Sequence, residues 1–212
     1  IYGTGGNNSL YGDAGDDTIY SGTGNDYIDG GTGNNTVSYS DFGTSVKVNL
    51  SGSLQGTVAN NTGVTTGLVD TLVNIQNVTT GGGNDTIWAG SGTSIIKTGS
   101  GNDIYVISDV TGINTLDAGD GTDSLSLVGN VSLSGVTLLN FENIIVQDGK
   151  TATINAKELD GKTMSIELQG SGSLIILGSP ILINPLPDSN FFISDSSLYL
   201  LLGVPTKLLI AL

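Results

Sequence analysis

Between Gly3 and Ser38, and again between Thr80 and Ser126, one apolar side chain returns about every nine residues among small and polar neighbours. In the first stretch these are Leu10, Ile19, Ile28 and Val37; in the second they are Ile87, Ile96, Tyr105, Leu116 and Leu125. One inward side chain per short strand, mostly branched, is what the core of a narrow solenoid needs. Four places before each of them stands a glycine: Gly6, Gly15, Gly24, Gly33, Gly83, Gly92, Gly101, Gly112 and Gly121. A residue without Cβ holds a positive φ at least cost, so this column marks a tight bend. The pattern predicts a repeat architecture in which each block makes one turn and one short strand.

Written out, the first array is GTGGNNSLY, GDAGDDTIY, SGTGNDYID and GGTGNNTVS. The second is TGGGNDTIW, AGSGTSIIK, TGSGNDIYV, the degenerate DVTGINTLD, and AGDGTDSLS. Ile1 and Tyr2 fit the last two places of a preceding block, so the array is expected to begin upstream and no amino-terminal signal peptide is evident. The sixth place always carries oxygen. It is Asp17, Asp26, Asp85, Asp103 or Asp123, with Asn8, Asn35 and Asn114 as weaker substitutes and Ser94 as an expected gap. Oxygen repeated at the turn end invites a hard cation.

These blocks resemble the nonapeptide G-G-x-G-x-D-x-U-x of the repeats-in-toxin family, in which U is a large apolar residue. The resemblance implies an all-β fold, a parallel β-roll in which two blocks complete one coil and blocks two apart stack on the same edge. Asp85 and Asp103 are 18 residues apart, as are Asn8 and Asp26, and Asp17 and Asn35. Asp103 and Asp123 are 20 apart, so the roll must absorb two extra residues there. The candidate calcium ligands are therefore Asp17, Asp26, Asp85, Asp103 and Asp123, followed by Asn8, Asn35 and Asn114. Asp13 and Asp16 lie inside one turn and are expected to face solvent or to supply an extra oxygen.

Several calcium ions suit such a roll. Strands stack about 4.7–4.9 Å apart, and calcium takes six to eight oxygens at about 2.3–2.6 Å. An ion midway between two turns reaches both, whereas magnesium demands a tighter octahedron and zinc finds no soft ligand. The formal charge is −14, with six lysines and neither arginine nor histidine. That sign disfavours nucleic acid and a bare anionic membrane as partners. Stacked carboxylates repel by about 1 kcal/mol in water and several times that at an effective dielectric near 20. Calcium binding is accordingly expected to supply folding energy.

Residues 39–79 interrupt the arrays with strand-like alternation at Val46, Val48 and Leu50, and read as a spacer continuing the solenoid. Within it, Asp70-Thr71-Leu72-Val73 copies the end of a block and makes Asp70 a weak ligand candidate. Domain organisation is thus expected as a first array at 1–38, the spacer at 39–79, a second array at 80–126, a calcium-free β region at 127–179 with one helical turn near 155–162, and an apolar tail at 180–212. That tail reads as a cap, a secretion signal or an assembly segment, and Pro185, Pro187 and Pro205 break it below the length of a transmembrane helix.

Without histidine there is neither a H-E-x-x-H zinc site nor a Ser-His-Asp triad, and no G-x-S-x-G elbow occurs. The chain is not expected to be an enzyme in its own right. Family resemblance implies export by bacterial type I secretion and folding outside the cell, and the lack of cysteine agrees with a domain that needs no disulfide. The favoured expectation is a secreted, calcium-binding structural or adhesive surface protein that self-associates into a layer, fibre or matrix. The alternative is the noncatalytic carboxyl-terminal module of a secreted protease, lipase or epimerase.

Overall fold

The computed structural model describes residues 1–50, 55–60, 69–159, 163–177, 192–194, 197–201 and 206–211. Short strands dominate, and among the described residues the one helix is a single turn, Ala156–Leu159. Its start is fixed by Asn155, whose backbone N–H and side-chain amide both donate to the Glu158 carboxylate.

The strands stack coil upon coil into a parallel β-solenoid of about seven turns. One long sheet runs, in spatial order, through Ser9–Tyr11, Tyr27–Asp29, Val69–Val73, Gln55–Asn60, Val46–Asn49, Thr86–Ala89, Ile104–Ile107, Ser124–Leu127, Asn143–Val146, Thr163–Leu168 and Thr206–Ala211. The facing sheet stacks Thr18–Tyr20, Thr36–Ser38, Asn77–Thr79, Ile95–Lys97, Thr115–Asp117 and Thr137–Leu139. Alternate nonapeptides feed alternate sheets. A third sheet, built on Val131–Ser132, Thr151–Asn155 and Ser173–Leu177, belongs to the carboxyl-terminal part.

Register follows the sequence columns. Ile104 pairs with Thr86 and Tyr105 with Ile87, so each eighth-place residue lies beside its counterpart one coil away. Ile19, Ile28, Val37, Ile87, Ile96, Tyr105, Leu116 and Leu125 have no exposed surface, and they form the spine between the two sheets. Each such aliphatic side chain contributes about 1.5–3 kcal/mol by leaving water. Tyr105 keeps its hydroxyl bonded inside the core, donating to the Asp117 carbonyl at 2.7 Å, and its ring meets Phe141 edge-on at 4.9 Å.

Residues of the spacer join the long sheet rather than forming a body of their own. Val46–Asn49 pairs in parallel with Thr86–Ala89, and Val69–Val73 pairs in parallel with Tyr27–Asp29. Between them Gln55–Asn60 runs antiparallel to both, an excursion that inserts one strand into the long sheet. At the far end the parallel stacking stops. Thr206–Ala211 lies antiparallel on Thr163–Leu168, and Ser197–Leu201 antiparallel on Ser173–Leu177. The tail's strands therefore cover the last edge of two sheets; its remaining residues, among which secretion-signal or interface features would lie, fall outside the described residues. Leu174, aligned in sequence with the acid of a turn, instead lies buried in Ser173–Leu177 against Ala152, because the bend has moved back to Gly170.

Candidate metal centre

Sixth-place side chains form two columns along one margin of each main sheet. On the long sheet the order is Asn8, Asp26 and Asp70, then past the excursion Asp85, Asp103, Asp123 and Glu142. On the facing sheet the order is Asp17, Asn35, Gln76, Ser94 and Asn114. All but one of the carboxylates thus share a single edge, and the opposite edge is almost wholly amide and hydroxyl.

The acidic edge is built by one recurring hydrogen bond. Asp85 N–H donates to Asp103 Oδ1 at 2.7 Å, Asp103 N–H to Asp123 Oδ1 at 2.7 Å, and Asp123 N–H to Glu142 Oε2 at 2.7 Å. Earlier in the column Val46 N–H donates to Asp85 Oδ1, Asp26 N–H to Asp70 Oδ1 and Asn8 N–H to Asp26 Oδ1. Each acid reaches back one coil with one oxygen. The opposite edge copies the bond with amides: Asp17 N–H donates to Asn35 Oδ1 and Asn35 N–H to Gln76 Oε1. Asn114 departs from it, being exposed and using its Nδ2 as donor to Ser94 Oγ at 2.8 Å.

The second carboxylate oxygen is what the backbone leaves over. Oδ2 of Asp17, Asp26, Asp103 and Asp123 is buried with no hydrogen-bond partner. Asp85 and Asp70 find one each, Asp85 from the Thr80 hydroxyl and Asp70 from the Tyr39 hydroxyl at 3.0 Å. Asp26, Asp70, Asp85, Asp103 and Asp123 are at most 4% exposed. A buried anion lacking a partner costs several kcal/mol unless it is neutralised. Burial accordingly pushes Asp70, Asp85 and Asp123 up to about 6 and raises Asp103 in the same direction. For Asp123 the neighbouring Asp103 and Glu142 charges add to that push.

Turn carbonyls would supply the rest of a cation's shell. A Cβ on Gly101, whose φ is 131°, would collide with the Gly83 carbonyl oxygen one coil back, and one on Gly121 would collide with the Gly101 carbonyl oxygen. At Gly24, Gly33, Gly101 and Gly121 the missing Cβ therefore lets a carbonyl of the preceding coil come close. Among the described residues no three carboxylates converge on one point, so an ion here draws on one or two carboxylates together with backbone oxygens. That donor set fits calcium, which accepts many hard oxygens in loose geometry.

Two features escape the column reading. Asp16 is exposed, and its Oδ1 accepts the Asn34 N–H at 2.8 Å. The same fifth-place bond links Asn7 to Asn25, Asn84 to Asn102 and Asn102 to Thr122 at 2.9 Å, so at these turns the fifth-place side chain reaches forward one coil while the sixth-place acids reach back. Its only signal in the sequence is the recurring Gly-Asn pair. Asp70, Gln76 and Glu142 are likewise full members of the columns, although none follows the glycine of a nonapeptide. Asp13 is exposed in the left-handed region, with φ 66°.

A parallel β-roll whose inter-coil gaps gather buried carboxylate oxygens and turn carbonyls is a solenoid of the divalent-cation-binding class. Its arrays match the family model of the RTX calcium-binding nonapeptide repeat, in four copies over residues 2–37 and 79–106. These two segments are therefore RTX-type calcium-binding repeats. No curated protein and no solved structure matches it. No helix among the described residues is long and apolar enough to cross a membrane.

Proposed function

We propose that this chain is the calcium-binding β-roll region of a secreted bacterial structural or adhesive surface protein, which leaves the cell by type I secretion, folds on extracellular calcium and then self-assembles. The observation that carries the reading is the set of orphaned buried oxygens on Asp17, Asp26, Asp103 and Asp123. An ion-free roll buries those anions without compensation, so the chain stays unfolded where calcium is scarce and folds where it is plentiful. Calcium, when bound, supplies two positive charges to the oxygens that the backbone leaves unpaired.

On the long sheet each acid gives one oxygen to a backbone N–H group of the neighbouring coil, which supports a structural and ion-holding part for these carboxylates. Electron microscopy of the native material with and without chelator tests the proposal. Lattices or fibres that dissolve on calcium removal are expected; isolated particles carrying hydrolytic activity would mark the module of a secreted enzyme instead.

A further inference from the structure

Each array ends on the same four-residue clamp. Asn74-Ile75-Gln76-Asn77 closes the first array on the facing sheet, and Asn140-Phe141-Glu142-Asn143 closes the second on the long sheet. Asn74 and Asn140 replace the column glycine in the left-handed region, with φ 55° and 61°. Their side-chain amides donate to equivalent acids of the previous coil, Asn74 to Asp29 at 2.8 Å and Asn140 to Asp117 at 2.7 Å. Ile75 and Phe141 are buried beside them. Asn77 and Asn143 donate to the sixth-place carbonyls of Asn35 and Asp123, both at 3.3 Å. Gln76 Oε1 and Glu142 Oε2 accept the sixth-place N–H groups of the same two residues, both at 2.7 Å.

The two clamps differ in charge at one position. Gln76 faces Asn35, a neutral pair; Glu142 faces Asp123, whose Oδ2 is fully buried and unpartnered. Since the Gln76 amide makes the same bond at the same distance, the negative charge at Glu142 is not needed to form the clamp. It stands next to a buried anion, where charge repulsion makes it unfavourable unless a cation lies between them.

We propose that Asp123 and Glu142 together hold a further calcium ion, one coil beyond the last nonapeptide, and that the Asn35 and Gln76 clamp holds none. This rests on the calcium-binding reading above and assigns the acid column an end that no nonapeptide marks. Carboxylate oxygens of Glu142 and Asp123, with carbonyls of the turn preceding Asp123, would make up the protein's share of the shell.

Equilibrium dialysis with radioactive calcium on the full chain tests it, comparing the wild type with Glu142→Gln and Gln76→Glu. Glu142→Gln keeps the acceptor for the Asp123 N–H, as Gln76 does for Asn35, so its calcium-loaded β spectrum is expected to persist while the number of bound ions falls by one. Gln76→Glu, which brings the charge to the equivalent position, is expected not to lower the number. Equal numbers for wild type and Glu142→Gln overturn the inference; a gain in Gln76→Glu would support it, by showing that the charge at this clamp position makes the site; a wild type that binds no calcium overturns the functional reading instead. Should Glu142→Gln fail to fold, long-wavelength anomalous scattering from calcium-loaded wild-type crystals decides it, a peak beside Glu142 supporting the site and its absence there overturning it.

Discussion

The Asp85 N–H donates to Asp103 Oδ1 at 2.7 Å, so that a carboxylate expected only to hold metal also pins the backbone of the coil before it. The two tasks fall to different oxygens, because Asp103 Oδ2 is buried and unpaired. Asn and Ala replacements therefore separate them. In saturating calcium, Asp103→Asn is expected to weaken the fold by losing the charge that faces the ion. Asp103→Ala also strands a buried N–H and is expected to lie about 1–3 kcal/mol lower again. Urea unfolding of both variants checks this, and equal midpoints would show that the inter-coil bond contributes nothing.

Acidity should act oppositely on the stripped and loaded protein. Asp70, Asp85 and Asp123 are raised by burial to about 6 in the ion-free fold, above their ordinary 3.8. Between those values the folded chain binds more protons than the unfolded one, so ion-free stability is highest near pH 4 and falls as pH rises through 6. Calcium needs the ionised form, so its affinity is lost over the same window as pH falls. Calcium-stripped protein is expected to show more β signal at pH 4.5 than at pH 7.5, and calcium-loaded protein to release its ions at the lower pH. A stripped protein that loses β signal on acidification would contradict the assignment.

Glycines of the fourth column are not equivalent. Gly92, with φ 88°, has open space where a Cβ would go, so Gly92→Ala is expected to cost about 1–2 kcal/mol for the left-handed backbone alone. Gly101 is also pressed against the Gly83 carbonyl, and Gly101→Ala is expected to prevent the second array from forming even in millimolar calcium. Circular dichroism of the two variants distinguishes them. Equal losses would remove the close approach as an explanation.

Much of this was legible because a nine-residue period writes turn, ligand and core into separate columns. Ile28 and Ile96 sit in the spine where the eighth place puts them, and Asp85 and Asp103 share an edge as their 18-residue separation requires. Loop length hid the rest. Asp70-Thr71-Leu72-Val73 copies the end of a block, but Asp70 comes to lie beside Asp26 only because the chain returns through Val46–Asn49 and Gln55–Asn60 to set Val69–Val73 on Tyr27–Asp29, and no nine-residue spacing specifies that pairing. Glu142 joins the column 19 residues after Asp123 on a turn whose left-handed residue is Asn140 rather than glycine. Segregation of the acids onto one edge was implicit in the alternation of blocks, yet it shows clearly only once Glu142 and Gln76 are placed.

Core and surface positions of adjacent strands should respond very differently. Ile96 has no exposed surface, whereas Ile104 is 44% exposed. Ile96→Ala is expected to cost about 2–5 kcal/mol, and Ile104→Ala within about 0.5 kcal/mol of nothing, as surface changes usually are. Urea unfolding in saturating calcium checks the pair. A comparable loss at both would mean that Ile104 is covered in the native assembly.

Far-ultraviolet circular dichroism of the chain, first stripped with chelator and then titrated to millimolar calcium, bears most directly on the buried oxygens of Asp26, Asp103 and Asp123. The account predicts a disordered spectrum that converts cooperatively to β as calcium is added and reverts when it is removed. A full β spectrum in the stripped protein at neutral pH, unmoved by calcium, would contradict it.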